Sequence, residues 1–217
     1  MDGLILGLDL CDGYTQLSCW GREENWTLPT AVCRQKDGGW LIGETAYATA
    51  LAGEGSVTDK LIRLVLQDGS DTIYGVKYRA VDLLKYFLEQ VFSLPLEEGK
   101  TVDGSMVKEL VITVPKMKAR LMDGLMYCAD QLKIPRSHVH VISHTEAFMY
   151  FVLSQTRDVW SNHVGLFDLS EKCLCYYEMK VQKNMGQVTA VAEREKLEEG
   201  FALDILSAPQ GVKLANK

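Results

Sequence analysis

The chain has 217 residues, 47% of them hydrophobic, and 29 acidic against 23 basic side chains give it a net charge of −6. That is enough apolar material for one large domain or two small ones. Nucleic acid is disfavoured as a partner because no basic block is present, and no run of roughly 18 apolar residues marks a membrane span. The first residues lack a basic leader with an apolar stretch and a small-residue cleavage site, so a cytoplasmic protein is expected.

Leu4 to Leu10 is an apolar run into Asp9, followed by a turn at Cys11-Asp12-Gly13 and a second alternating run from Tyr14 to Trp20, which predicts a β-hairpin. Val164 to Val181 has the same layout, with Asp168-Leu169, a polar turn and a returning strand. Two such hairpins suggest a duplicated architecture. Between them, Trp26 to Cys33 reads as one strand, and Gly38-Gly39 turns it into Trp40 to Gly43. Glu44 to Leu51 is rich in helix formers, and the weakly patterned stretch that follows, with a hairpin-like piece ending at Tyr78, reads as a small inserted subdomain.

From Arg79 to Phe92, Val81, Leu84, Leu88 and Val91 recur at helical spacing, with Leu83 and Phe87 widening the stripe. Leu94-Pro95 ends that helix, and Glu97 to Ser105 reads as an exposed loop. Glu109 to Pro115 is a nearly all-apolar strand of the kind covered on both faces. Met117, Leu121, Leu125, Cys128 and Leu132 predict the next helix, and Val139 to Ile142 a short strand. Ser143 and Glu146 then have capping-box spacing ahead of a helix from Thr145 to Gln155, with His144 as a surface residue. Gln187 to Ala192 reads as a strand, Glu193 to Glu199 as a charged connection, and Phe201 to Leu206 as the start of a helix. Strands alternating with helices argue for an α/β layered fold with a mixed central sheet. The six cysteines match neither a zinc site nor a disulfide scaffold, and Cys173 and Cys175 read as small apolar side chains on one strand face.

These pieces, in this order, resemble the actin-like ATPase superfamily, whose fold is ribonuclease H-like, and within it the nucleotide-binding domain of DnaK-type heat-shock chaperones. The resemblance is carried by Gly7-Leu8-Asp9-Leu10, Leu28 to Val32, Trp40 to Ala46, Lys60-Leu61-Ile62-Arg63, Val111 to Pro115, Thr145 to Leu153 and Leu166-Phe167-Asp168-Leu169. It implies a bacterial protein that binds ATP with magnesium in a cleft between two lobes. Asp9 and Asp168 would hold the magnesium through water, and Lys60 would lie near the γ-phosphate. The nucleotide would be held by Asp9, Cys11, Asp12, Gly13 and Tyr14 in the first hairpin and by Asp168, Ser170 and Lys172 in the second. The first lobe is expected over residues 1–160, with the inserted subdomain at about 44–78, and residues 161–217 begin a second lobe that is incomplete.

Departures from the family pattern count against hydrolysis. A phosphate cradle needs inward-turned N–H groups, which favours glycine; here the second turn is Ser170-Glu171-Lys172-Cys173, with none. Asp12 and Glu171 put negative charge at the tips, and like charges ~4 Å apart repel by about 1 kcal/mol in water and about 4 at the effective dielectric of a cleft, unless a metal or Lys172 compensates. The family's catalytic carboxylate falls on Ser143, whose hydroxyl is a natural helix N-cap, and Glu146 one turn away is the substitute candidate. The expectation is a degenerate ATPase that acts through a protein partner. The alternatives are an active magnesium-ATP-dependent chaperone-like ATPase with a complete second lobe, or a sugar or acetate kinase-like phosphotransferase.

Overall fold

The computed structural model describes residues 3–155, 163–170, 173–184 and 187–199. The chain divides into two compact units, Met1–Ile142 and Ser143–Lys217. In chain order the first contains β1 (Leu4–Leu10), β2 (Tyr14–Cys19), β3 (Asn25–Pro29), β4 (Ala31–Gln35), β5 (Trp40–Ile42), α1 (Gly43–Leu51) and β6 (Gly55–Asp59). It continues through α2 (Leu61–Leu66), β7 (Ser70–Ile73), β8 (Val76–Arg79), α3 (Ala80–Ser93), β9 (Val107–Val114), α4 (Ala119–Gln131) and β10 (Val139–Ser143). Among the described residues, no helix is long and apolar enough to cross a membrane.

The main sheet has the order β10-β9-β1-β2-β3. Its centre is β1, antiparallel to β2 and parallel to β9, so the carboxyl ends of β1 and β9 emerge side by side. Leu6, Leu8 and Leu10 of β1 alternate into the core with Leu110, Ile112 and Val114 of β9. Against them α3 buries Leu83, Leu84, Phe87, Leu88 and Val91, as its spacing predicts; each fully buried side chain of this size stabilises by roughly 1.5–3 kcal/mol. Gly124 lets α2 approach α4, since a Cβ there would lie 3.0 Å from Val65 Cγ1.

The expected single strand from Trp26 to Cys33 is two. At Thr30 the chain leaves the main sheet, where β3 pairs with β2, and enters a three-stranded sheet of order β5-β4-β6. The break has a polar cause. Thr30 is buried, its N–H donates to Gly13 O (3.1 Å) and its hydroxyl to Cys11 O (2.6 Å), so its own bonds go to a turn instead of a ladder. With its one hydroxyl proton spent, Thr30 Oγ1 accepts from the buried Thr15 hydroxyl at 2.7 Å. Apolar pattern alone does not register such a corner.

Three further expectations shift. Met117 is exposed and precedes α4, because Lys118 is still extended at the N-cap and the helix starts at Ala119. The stretch Glu97 to Ser105 is not wholly exposed: Val102 is buried and its N–H donates to Ser93 Oγ (2.9 Å), while Gly104 is buried against the Lys133 backbone. In the second unit Glu193 to Glu199 continues a strand rather than forming a connection, since its backbone stays paired with the neighbouring strand from Glu178↔Glu193 to Cys173↔Glu199, with one register shift between Leu174 and Cys175. Alternating charge imitates a loop when the backbone partner is far away in sequence.

The second unit contains α5 (His144–Ser154) and an antiparallel sheet of β11 (His163–Ser170), β12 (Cys173–Asn184) and β13 (Gln187–Glu199), in that order. Phe148 and Val152 of α5 are buried with Cys175, Tyr177 and Met179 of β12. The second predicted hairpin is thus present as β11 and β12. Lys172 and the predicted helix from Phe201 to Leu206 lie outside the described residues.

Candidate functional site

Asp9 and Thr113 are register partners at the carboxyl ends of the parallel strands β1 and β9. Side chains at such positions stand on one face about 4.8 Å apart. The Thr113 hydroxyl therefore reaches Asp9 Oδ1 at 2.9 Å, and the Cys11 thiol lies 3.9 Å from the same oxygen. A half-buried carboxylate is thereby oriented where the strands open.

The turn beyond it is set by Thr30. Carbonyls of Cys11 and Gly13 both point at that residue, and in a planar trans peptide the N–H points opposite to the C=O. The amides of Asp12 and Tyr14 consequently face away from Thr30, on one side of the turn. Gly13 has an ordinary backbone angle, and no atom lies within 4 Å of where its Cβ would stand. The fold itself does not require glycine there.

Asp12 does not project freely from the tip. Its Oδ1 accepts the Arg63 N–H at 3.0 Å and its Oδ2 lies 3.6 Å from Arg63 Nε; the Asp12 side chain is 15% exposed and that of Arg63 62%. Arg63 is the third residue of α2, where an N-cap side chain normally accepts a bond. Lys60, at the N-cap position, has no acceptor to offer and makes no side-chain cap bond. Asp12 supplies from the hairpin the acceptor that the local sequence lacks. Arg63 is a cationic partner of this carboxylate, one that the sequence reading, which points to a metal or Lys172, does not name.

Lys60 is exposed and holds φ 54° and ψ 43°, a left-handed conformation that disfavours any residue with a Cβ. Nearby, the Tyr47 hydroxyl donates to Asp59 Oδ2 at 3.3 Å. Burial, then Asp59, then Tyr14 push the Tyr47 phenol above its ordinary value. Tyr14 itself is exposed.

In the second unit, Ser143 caps α5, accepting the Glu146 N–H at 3.1 Å. The Glu146 carboxylate accepts the Tyr150 hydroxyl at 3.4 Å. Asp168 is paired with Cys175, and Ser170 with Cys173, in the β11–β12 ladder. The structure thus gathers Asp9, Cys11, Asp12, Gly13 and Tyr14 around one turn and adds Thr30, Thr113 and Arg63, which motif reasoning passes over. Signals for two of them exist in the sequence: Thr113 is the single hydroxyl in Leu110–Val114, and Arg63 sits three residues after the lysine.

Residues 13–216 match the family described as "Family of unknown function (DUF5716) C-terminal". The chain belongs to the DUF5716 C-terminal family. No curated protein matches it. Among solved structures, this DUF5716 C-terminal chain is similar to MreB5 of Spiroplasma citri bound to ADP, with TM-score 0.53 and 14% identity over 90% of this chain and 53% of the other. It is also similar to MreB5 of Spiroplasma citri bound to AMPPNP, with TM-score 0.55 and 11% identity over 91% of this chain and 54% of the other. The DUF5716 C-terminal chain has the actin-like fold, and it spans about half the length of the MreB structures it matches.

Proposed function

We propose that this chain is an actin-like nucleotide-binding domain that holds ATP or ADP with magnesium, hydrolyses it slowly or not at all, and acts through a protein partner. The observation that carries the proposal is Asp9, fixed by Thr113 at the carboxyl ends of two parallel strands, with the Cys11–Tyr14 turn directly beyond. Crevices outside the carboxyl ends of parallel strands are where α/β sheets bind ligands. A half-buried carboxylate oriented by a hydroxyl also suits a hard cation that keeps its waters. In this proposal Asp9 and Asp168 hold magnesium through water, which supplies positive charge against the phosphates. The amides of Asp12 and Tyr14, with Cys11 and Gly13, line the phosphates; Ser170 and Lys172 belong to the second hairpin's share, and Lys60 faces the terminal phosphate. Both MreB structures carry an adenine nucleotide or its analogue, which supports the ligand class.

Slow hydrolysis is supported by Ser143. Its oxygen is engaged as the α5 cap, and a hydroxyl does not act as a base at neutral pH. Calorimetric titration of the full-length protein with magnesium-ATP and magnesium-ADP should show saturable binding that Asp9→Asn weakens at least tenfold, with no steady phosphate release. Absence of binding at millimolar nucleotide overturns the ligand, and steady turnover overturns the degenerate reading in favour of an active ATPase.

A further inference from the structure

We propose that Asp12 is a built-in competitor for phosphate, an internal anion that keeps the first hairpin closed until a nucleotide displaces it from Arg63. The inference rests on the nucleotide reading above and adds the regulation of that site.

Three observations converge on the residue. Asp12 comes from the turn whose amides would meet a phosphate, yet its carboxylate is turned onto α2, far along the chain, and sheltered there by the Arg63 N–H and guanidinium. The helix start has no acceptor of its own, because Lys60 occupies the cap position in a left-handed conformation. Arg63 remains largely exposed on its other side, so it can turn to an incoming anion without being unpacked from a core. A phosphate brought to the turn would stand beside a fixed negative charge, and the Arg63 guanidinium that could offset that repulsion is already paired with Asp12. Phosphate and Asp12 therefore compete for one guanidinium, and binding is coupled to release of the hairpin tip from α2.

The decisive variant is Asp12→Asn, which removes the charge while its amide oxygen can still accept the Arg63 N–H. Titration of the full-length protein with magnesium-ADP should show at least tenfold tighter binding in Asp12→Asn than in the wild type. The double variant Asp12→Asn/Arg63→Met should lose that gain, because the released cation is what the phosphate uses. Asp12→Ser serves the same comparison should the asparagine variant melt early. If the wild type binds and both Asp12 variants bind no tighter, the competitor is overturned and the nucleotide reading stands. If neither wild type nor variants bind, the nucleotide reading falls and takes the competitor with it. A gain that persists in the double variant also overturns the proposal, since Arg63 would then not be the contested group.

Discussion

Replacing Thr30 by valine tests whether the first turn is held by polar contacts instead of by packing. Valine keeps the branched shape, so no cavity opens in this buried position. What disappears is one hydroxyl with two partners, Cys11 O and the Thr15 hydroxyl, the latter fully buried. The Thr15 hydroxyl left unmatched costs about 1–3 kcal/mol and the lost bond to Cys11 O about 0.5–1.5, so the two together should destabilise by roughly 2–4 kcal/mol. At about 2–4 °C per kcal/mol for a chain of this size, the melting temperature should fall by roughly 5–15 °C. Urea denaturation followed by circular dichroism measures the first figure and a thermal melt the second. Adding Thr15→Val should restore about 1 kcal/mol, because the orphaned hydroxyl is gone while the bond to the Cys11 carbonyl stays lost. A loss below about 0.5 kcal/mol in the single variant, or no recovery in the double, would refute the account of the corner.

Gly13→Ala should leave the free energy of unfolding within about 0.5 kcal/mol of wild type, since its added methyl meets open space, and yet weaken magnesium-ADP binding at least tenfold if the turn approaches phosphates closely. The Arg79 guanidinium, bonded to Asp82, holds that carboxyl below its ordinary value, helped by the Tyr127 hydroxyl. The stability it contributes is complete above the unfolded carboxylate value of ~3.9 and is lost as pH falls through the lower folded value. Urea midpoints at pH 7 and pH 3 should therefore differ less in Asp82→Asn than in wild type. Burial, with a smaller push from Asp82, drives the Cys128 thiol up to about 12, so a thiol reagent at pH 8 should label Cys128 only after unfolding.

Elements with a strong internal period were legible beforehand. The α3 stripe lies on the core because Leu84, Leu88 and Val91 repeat at its pitch, and the first hairpin follows from two alternating runs around a polar turn. Illegible were features fixed by partners distant in sequence. Thr30 breaks a plausible strand because of Cys11 and Gly13, and Glu193 to Glu199 is strand because β12 runs beside it. At the site, Asp9 was visible from the motif, whereas its alignment by Thr113 needed the parallel register. Asp12 carried the right charge in the wrong setting, since nothing local announces that a hairpin carboxylate will cap a helix fifty-one positions onward.

Lys60 joins β6 to α2 through a backbone shape that glycine would adopt with less strain. Removing its side chain should make the protein more robust by up to about 1 kcal/mol while discarding an exposed ammonium. Selection for thermal endurance alone would favour glycine at this single position, whereas the proposed role of Lys60 toward a phosphate would keep its ammonium.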